Sequence, residues 1–159
     1  MIRRISDLNS DARLWVYQSD RELNQSEVEV CVQALEAFVN GWASHGVKVQ
    51  GAFEVRYNRF IVLAGQVNGE ISGCSIDSSV AVIKNLEQEL GVDFFNRQLI
   101  LYKEGEEIRE AQMHEFWAMR KAGIVTDDHM VFNNLVDQAG SYPDSWVVPF
   151  SESWHADMW

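Results

Sequence analysis

Apolar side chains alternate with polar ones along some stretches of this chain and recur every third or fourth position along others, and the change of period marks out its elements. Residues 13–18, Arg-Leu-Trp-Val-Tyr-Gln, are rich in aromatic and β-branched types between polar neighbours, which predicts a short strand. Asn24 followed three residues later by Glu27 matches a capping box, with Leu23 placed to pack back as a staple. Val28, Cys31, Leu35, Phe38, Val39 and Trp42 then fall on one stripe, predicting a helix that ends near His45-Gly46. Residues 47–57 and 59–67 predict two strands, with Phe53, Val55 and Tyr57 alternating against Glu54 and Arg56, joined as a hairpin about Asn58. Asn68-Gly69 is a further turn signal. Beyond Gly73, Val80, Ile83, Leu86 and Leu90 share one face of a second helix that Gly91 stops. Residues 98–103 predict another strand, 104–106 a turn, and 107–109 its partner.

The resulting order, β-α-β-β-α-β, predicts an α+β protein of the ferredoxin-like kind, an antiparallel sheet with both helices on one face. Residues 1–159 are expected to form a single domain, with 1–110 as that core and 111–159 as an α-rich, aromatic C-terminal extension packed on it. The extension carries a predicted helix over about residues 111–122, with Met113, Phe116, Trp117 and Met119, an apolar segment at 130–136, and a tail holding Trp146, Trp154 and Trp159. Most tryptophans are expected in cores and seams, and Trp159 is the one best suited to an intermolecular contact.

Composition narrows the function classes. With 47% hydrophobic and 23% charged residues the chain has the makeup of a folded domain rather than a disordered one. Its net charge of −11 repels phosphate backbones, so nucleic acid is not expected as a partner, and Arg3-Arg4 reads as an ordinary solvated end. Apolar runs stop far short of the ~20 residues a spanning helix needs, so no membrane partner is expected. No apolar segment follows the N-terminal charges as in a secretory signal, and the cytoplasm is the expected location. Cys31 and Cys74 lack paired spacing, which suggests neither a disulfide framework nor a zinc site.

Several segments together resemble a small uncharacterised family from Bacteroidetes: Leu14-Trp15-Val16-Tyr17-Gln18, Tyr57-Asn58-Arg59-Phe60, the run from Gly73 to Val80, the run from Gly91 to Arg97, and Val131-Phe132-Asn133-Asn134-Leu135-Val136. The resemblance spans nearly the whole chain. Members of that family are often labelled "ABC transporter ATPase", and the resemblance implies no catalytic residue. An ATPase of that class needs a G-x-x-x-x-G-K-[ST] loop to cradle phosphates. None of Lys48, Lys84, Lys103 and Lys121 follows a glycine, so the loop is missing and ATPase activity is not expected.

The candidate chemistry gathers at Gly73-Cys74-Ser75-Ile76-Asp77-Ser78-Ser79, where free amides and the positive end of a helix dipole suit an anion and would stabilise a Cys74 thiolate. The same residue types also serve simply as helix caps. Arg59, Asn133 and Asn134 are polar groups set in apolar segments, where burial without partners is costly. Either Arg59 pairs with a carboxylate such as Asp77 or Asp93 while the asparagines satisfy turn backbones, or Arg59, Cys74, Ser75, Asp77, Ser78, Ser79, Asn133 and Asn134 converge on a small anionic ligand. No motif links His45, His114, His129 or His155 to Cys74 as a base, and His45 is explained by a helix C-terminus. Asp127-Asp128-His129 with His155 and Asp157 matches no standard metal spacing. No catalytic residue and no metal site is assigned, and the sequence identifies no cofactor. The leading expectation is a non-catalytic binding or interaction module that offers a sheet edge or face to a protein partner or a second copy. The alternative is a small anionic-ligand binder or enzyme using the Cys74 to Ser79 helix start.

Overall fold

The computed structural model describes residues 4–158, so Arg3 and Trp159 lie outside the described residues. Along the chain run β1 (Arg13–Gln18), α1 (Gln25–Gly41), β2 (Ala43–Ser44), β3 (Val47–Lys48), β4 (Gln50–Arg56), β5 (Phe60–Gln66) and α2 (Gly73–Leu90). These are followed by β6 (Leu99–Glu104), β7 (Glu107–Gln112), α3 (Met113–Lys121), β8 (Met130–Phe132), α4 (Tyr142–Ser145) and β9 (Val147–Pro149), with short 3-10 turns near both ends. The strands form an antiparallel sheet of order β1-β5-β4, a second of order β7-β6-β8-β9, and a small β2-β3 ribbon.

Local chemistry explains the element boundaries. At the start of α1 the Glu27 amide donates to Asn24 Oδ1 at 2.9 Å and the Asn24 amide donates back to Glu27 Oε1 at 3.0 Å, the reciprocal capping expected from the sequence. The helix ends at Gly41, earlier than its apolar stripe suggests, because Trp42 leaves it in an extended conformation to pack beneath the first sheet. There a Cβ added to Gly65 would lie 2.7 Å from the Trp42 ring, so only glycine admits the indole. His45 therefore sits not at a helix terminus but in the β2-β3 turn, with φ of 51°. The β4-β5 hairpin forms as expected: Arg56 pairs with Phe60 across Tyr57, Asn58 and Arg59, with Tyr57 and Asn58 in the left-handed region and the Arg59 amide donating to the Arg56 carbonyl at 3.0 Å.

Four layers result. One face of the first sheet packs Tyr17 and Ile61 against Cys31 and Leu35 of α1 and Ile83 and Leu86 of α2. Its other face, with Leu14, Phe60, Val62 and Ala64, meets Leu99 and Leu101 of β6, Phe132 of β8 and Trp146. The far face of the second sheet, with Ile100, Tyr102, Val131 and Val148, is covered by Phe116 of α3 and by Phe150. Strand β5 lies at the centre and is buried from Phe60 through Gly65.

This arrangement departs from the expected single sheet. The order β1-β5-β4 with α1 and α2 on one face is present, but β6 pairs with β7 and β8 instead of lying beside β1. Strand β6 is apolar on both faces, which suits an interior strand, and the tight turn at Gly105 delivers β7 as its neighbour. The C-terminal third does more than cover the rest: β8 and β9 make up half of the second sheet, while α3 packs on its far face. Among the described residues no helix is long and apolar enough to cross a membrane.

Candidate functional site: a groove between the sheets

Strand β1 is an edge strand, and the parity of its ladder decides what that edge presents. The Ser19 amide bonds the Arg59 carbonyl at 2.7 Å on the β5 side, while the Leu14 amide points the other way, to the Asp137 carbonyl at 3.0 Å. Successive amides alternate sides in an antiparallel strand. Residues 14, 16 and 18 thus turn their backbone outward. The Arg13–Gln138 bridge closes the first part of this edge, and beyond it the outward amide of Val16 meets no strand. Opposite, β6 is bridged to β8 at Tyr102 and Val131, which leaves Leu99 to Leu101 without a strand on that side.

Side chains span the gap where a strand would have been. Gln18 Nε2 donates to the Leu99 carbonyl at 2.6 Å, Asn134 Nδ2 donates to Gln18 Oε1 at 2.9 Å, and Trp146 Nε1 donates to Asn134 Oδ1 at 2.9 Å. Above this chain of amides lies a groove of about 640 Å³, lined largely by Leu14, Val16, Tyr17, Phe94, Leu99, Leu101 and Leu135. It opens where three packed clusters meet without closing on one another. Leu135, 68% exposed, and Phe95 stand at the mouth as large apolar side chains in contact with water.

Trp154 and His155 form part of the lining. His155 is only 1% exposed, stacks on Trp154 at 4.0 Å between ring centroids, and meets the Phe116 ring edge-on. Its Nδ1 lies 2.6 Å from Ser153 Oγ. Burial pushes its pKa down to about 4, so the imidazole is neutral at neutral pH. Trp154 Nε1 is buried with no hydrogen-bond partner among the described residues.

The residues singled out from the sequence do not converge. Ser75 is buried and donates to the Ala43 carbonyl at 2.5 Å, its amide is capped by Ser72 Oγ at 3.2 Å, and its own carbonyl accepts from Trp42 Nε1 at 3.0 Å. Ser78 and Ser79 donate within the helix to the Cys74 and Ile76 carbonyls at 3.0 and 2.6 Å. Cys74 and Asp77 are exposed. Arg59, 7% exposed, is paired neither with Asp77 nor with Asp93: Nη2 bonds Glu110 Oε2 at 2.9 Å and Nε bonds the Ser19 carbonyl at 3.1 Å. Arg59 lies at the β4-β5 turn, whereas Ser75 abuts Trp42 at the far end of β5, roughly 20 Å away at the rise of an extended strand. Asn133 donates to the carbonyl of Ser145, the last residue of α4, at 3.3 Å, and its Oδ1 accepts from the Leu135 amide at 3.2 Å in the turn after β8. Asn134 alone of this set lines the groove.

The other candidates are also dispersed. His129 Nε2 lies 2.6 Å from Glu104 Oε2 while its Nδ1 accepts from the Thr126 amide at 3.0 Å, and Asp127 pairs with Arg120. Among the described residues no group of three or more His, Cys, Asp or Glu side chains is placed to hold a metal ion. Burial, with the charges of Glu27 and Glu89, pushes the Cys31 thiol up to about 11.

No protein-family model matches this chain, and no curated protein or solved structure matches it. The groove residues Val16, Gln18, Phe95, Leu99 and Leu135 carry no motif; apart from Gln18 their mark in the sequence is apolar character, which does not separate a groove wall from a core.

Proposed function

We propose that this protein is a non-catalytic binding module that holds a small apolar ligand in the groove between its two sheets. The observation that carries this reading is an opening of about 640 Å³ with a largely apolar wall, a fixed line of amides along one side, and exposed Leu135 at its mouth. Small-molecule sites commonly enclose about 300–1,000 Å³ and combine apolar walls with a few placed polar groups. Catalysis finds little support here, since a base must hold a proton near the working pH and His155 does so only near 4. The family label of an ATPase supplies no residue to this groove.

A second reading has its own observation. The outward backbone of Val16 on an unpaired stretch of β1 could accept an added strand from a protein partner or a second copy.

Nile red, a neutral apolar dye, separates these readings. Its fluorescence should rise on addition of the protein, fall on competition with ethylbenzene, and be weakened severalfold by Leu135→Asp, a change at an exposed site that leaves the core intact. No enhancement, or equal enhancement by the variant, overturns the small-ligand reading. A concentration-dependent dimer that excludes the dye favours strand addition instead.

A further inference from the structure

The chemistry of the buried Ser153–His155 pair extends the groove reading, on which this inference rests, to the class of ligand. Ser153 is itself buried, and its hydroxyl makes one hydrogen bond among the described residues, to His155 Nδ1 at 2.6 Å. If His155 carried its proton on Nδ1, that nitrogen would donate to Ser153 and the serine proton would be left without an acceptor in an apolar surround, an unfavourable arrangement. With Ser153 donating, Nδ1 accepts, and the proton of the neutral imidazole resides on Nε2. No partner for Nε2 is present among the described residues, and His155 is part of the groove wall. Nε2 is thus a donor without a protein partner on a residue of the groove wall, next to a Trp154 indole N–H that is sealed from solvent and also unpaired.

We infer that the groove selects small apolar molecules bearing an uncharged acceptor oxygen, such as an aryl or alkyl ketone, whose carbonyl accepts the Nε2 proton of His155. The bond gives Nε2 a partner that the described residues do not supply, and it changes no charge. A carboxylate is a poorer match. Among the lining residues the one cationic side chain, Arg97, is exposed and is offset by Asp137, and the chain as a whole carries −11. Desolvating an anion against that field costs more than one neutral N–H donor returns.

Acetophenone, ethylbenzene and benzoate test the inference, because they share a ring and differ in the acceptor. Titration calorimetry at pH 7.5 with the full chain and with His155→Phe gives the comparison. Acetophenone should lose about tenfold in affinity in the variant while ethylbenzene changes by less than about twofold, a single hydrogen bond's difference. In the native protein, acetophenone but not ethylbenzene should move the His155 Nε2–H resonance downfield, a readout independent of how well the variant folds. Equal losses for both compounds, an unmoved Nε2–H signal, or tighter binding of benzoate than of acetophenone overturns the ligand class. Ethylbenzene binding then leaves the groove reading standing. Failure of all three compounds to bind overturns both.

Discussion

His155 couples the stability of the fold to pH through the burial of its neutral imidazole. In the unfolded chain its imidazole takes up a proton near pH 6.5, but in the folded protein burial delays this to about 4. Between those values the unfolded state binds a proton that the native state does not, so stability falls as the pH falls from 6.5 toward 4 and levels below it. The full separation corresponds to about 3 kcal/mol, an upper value because water entering the groove would ease protonation. Urea unfolding of the native protein and of His155→Phe, repeated at half-unit steps from pH 8 to 4, isolates the effect by difference. Glu27, held down to about 2 by Arg21 and the Asn24 amide, loses its contribution at lower pH and does so in both proteins. The native protein should lose 1–3 kcal/mol more than the variant, roughly, across this window. Parallel profiles would show that His155 is not buried as a neutral base and would undo the reasoning about its tautomer.

Three further perturbations follow from particular contacts. Gly65→Ala drives a methyl into the Trp42 ring, where a Cβ would approach to 2.7 Å, and should destabilise by about 1–3 kcal/mol in urea unfolding. Asn58→Gly relieves a left-handed residue at φ of 53° in an exposed turn and should raise stability by about 0.5 kcal/mol, with an unchanged circular dichroism spectrum as control. Thiol titration of the native protein should count one fast-reacting cysteine, the exposed Cys74, while Cys31 reacts only on unfolding because it is buried and its pKa is pushed up to about 11.

What could be read from the chain was whatever depends on neighbours in sequence. The Asn24–Glu27 box, the stripe of α1, the stop at Gly91 and the Tyr57-Asn58 hairpin are all local, and each is found. The partner of β6 is a choice between distant edges, and the unbroken apolar run from Leu99 to Tyr102 satisfies either sheet. That one choice turns an expected four-stranded sheet into a sandwich and leaves a groove in place of the missing pairing. Trp42 shows the same limit at smaller scale, since it completes a helical stripe in sequence but leaves the helix to fill the space above Gly51 and Gly65. The candidate site fared least well. Hydroxyls at a helix start look alike whether they await a ligand or bond one another, and only the positions of Ala43, Ser72 and Trp42 decide that Ser75 is already matched.

Backbone amide shifts recorded while ethylbenzene is titrated into the full chain test most directly whether the split between the sheets is a binding site. Perturbations concentrated at Val16, Gln18, Phe95, Leu99, Leu101 and Leu135, saturating together, are the expected result. Shifts centred instead on Gly73 to Ser79, or none at all, would contradict it.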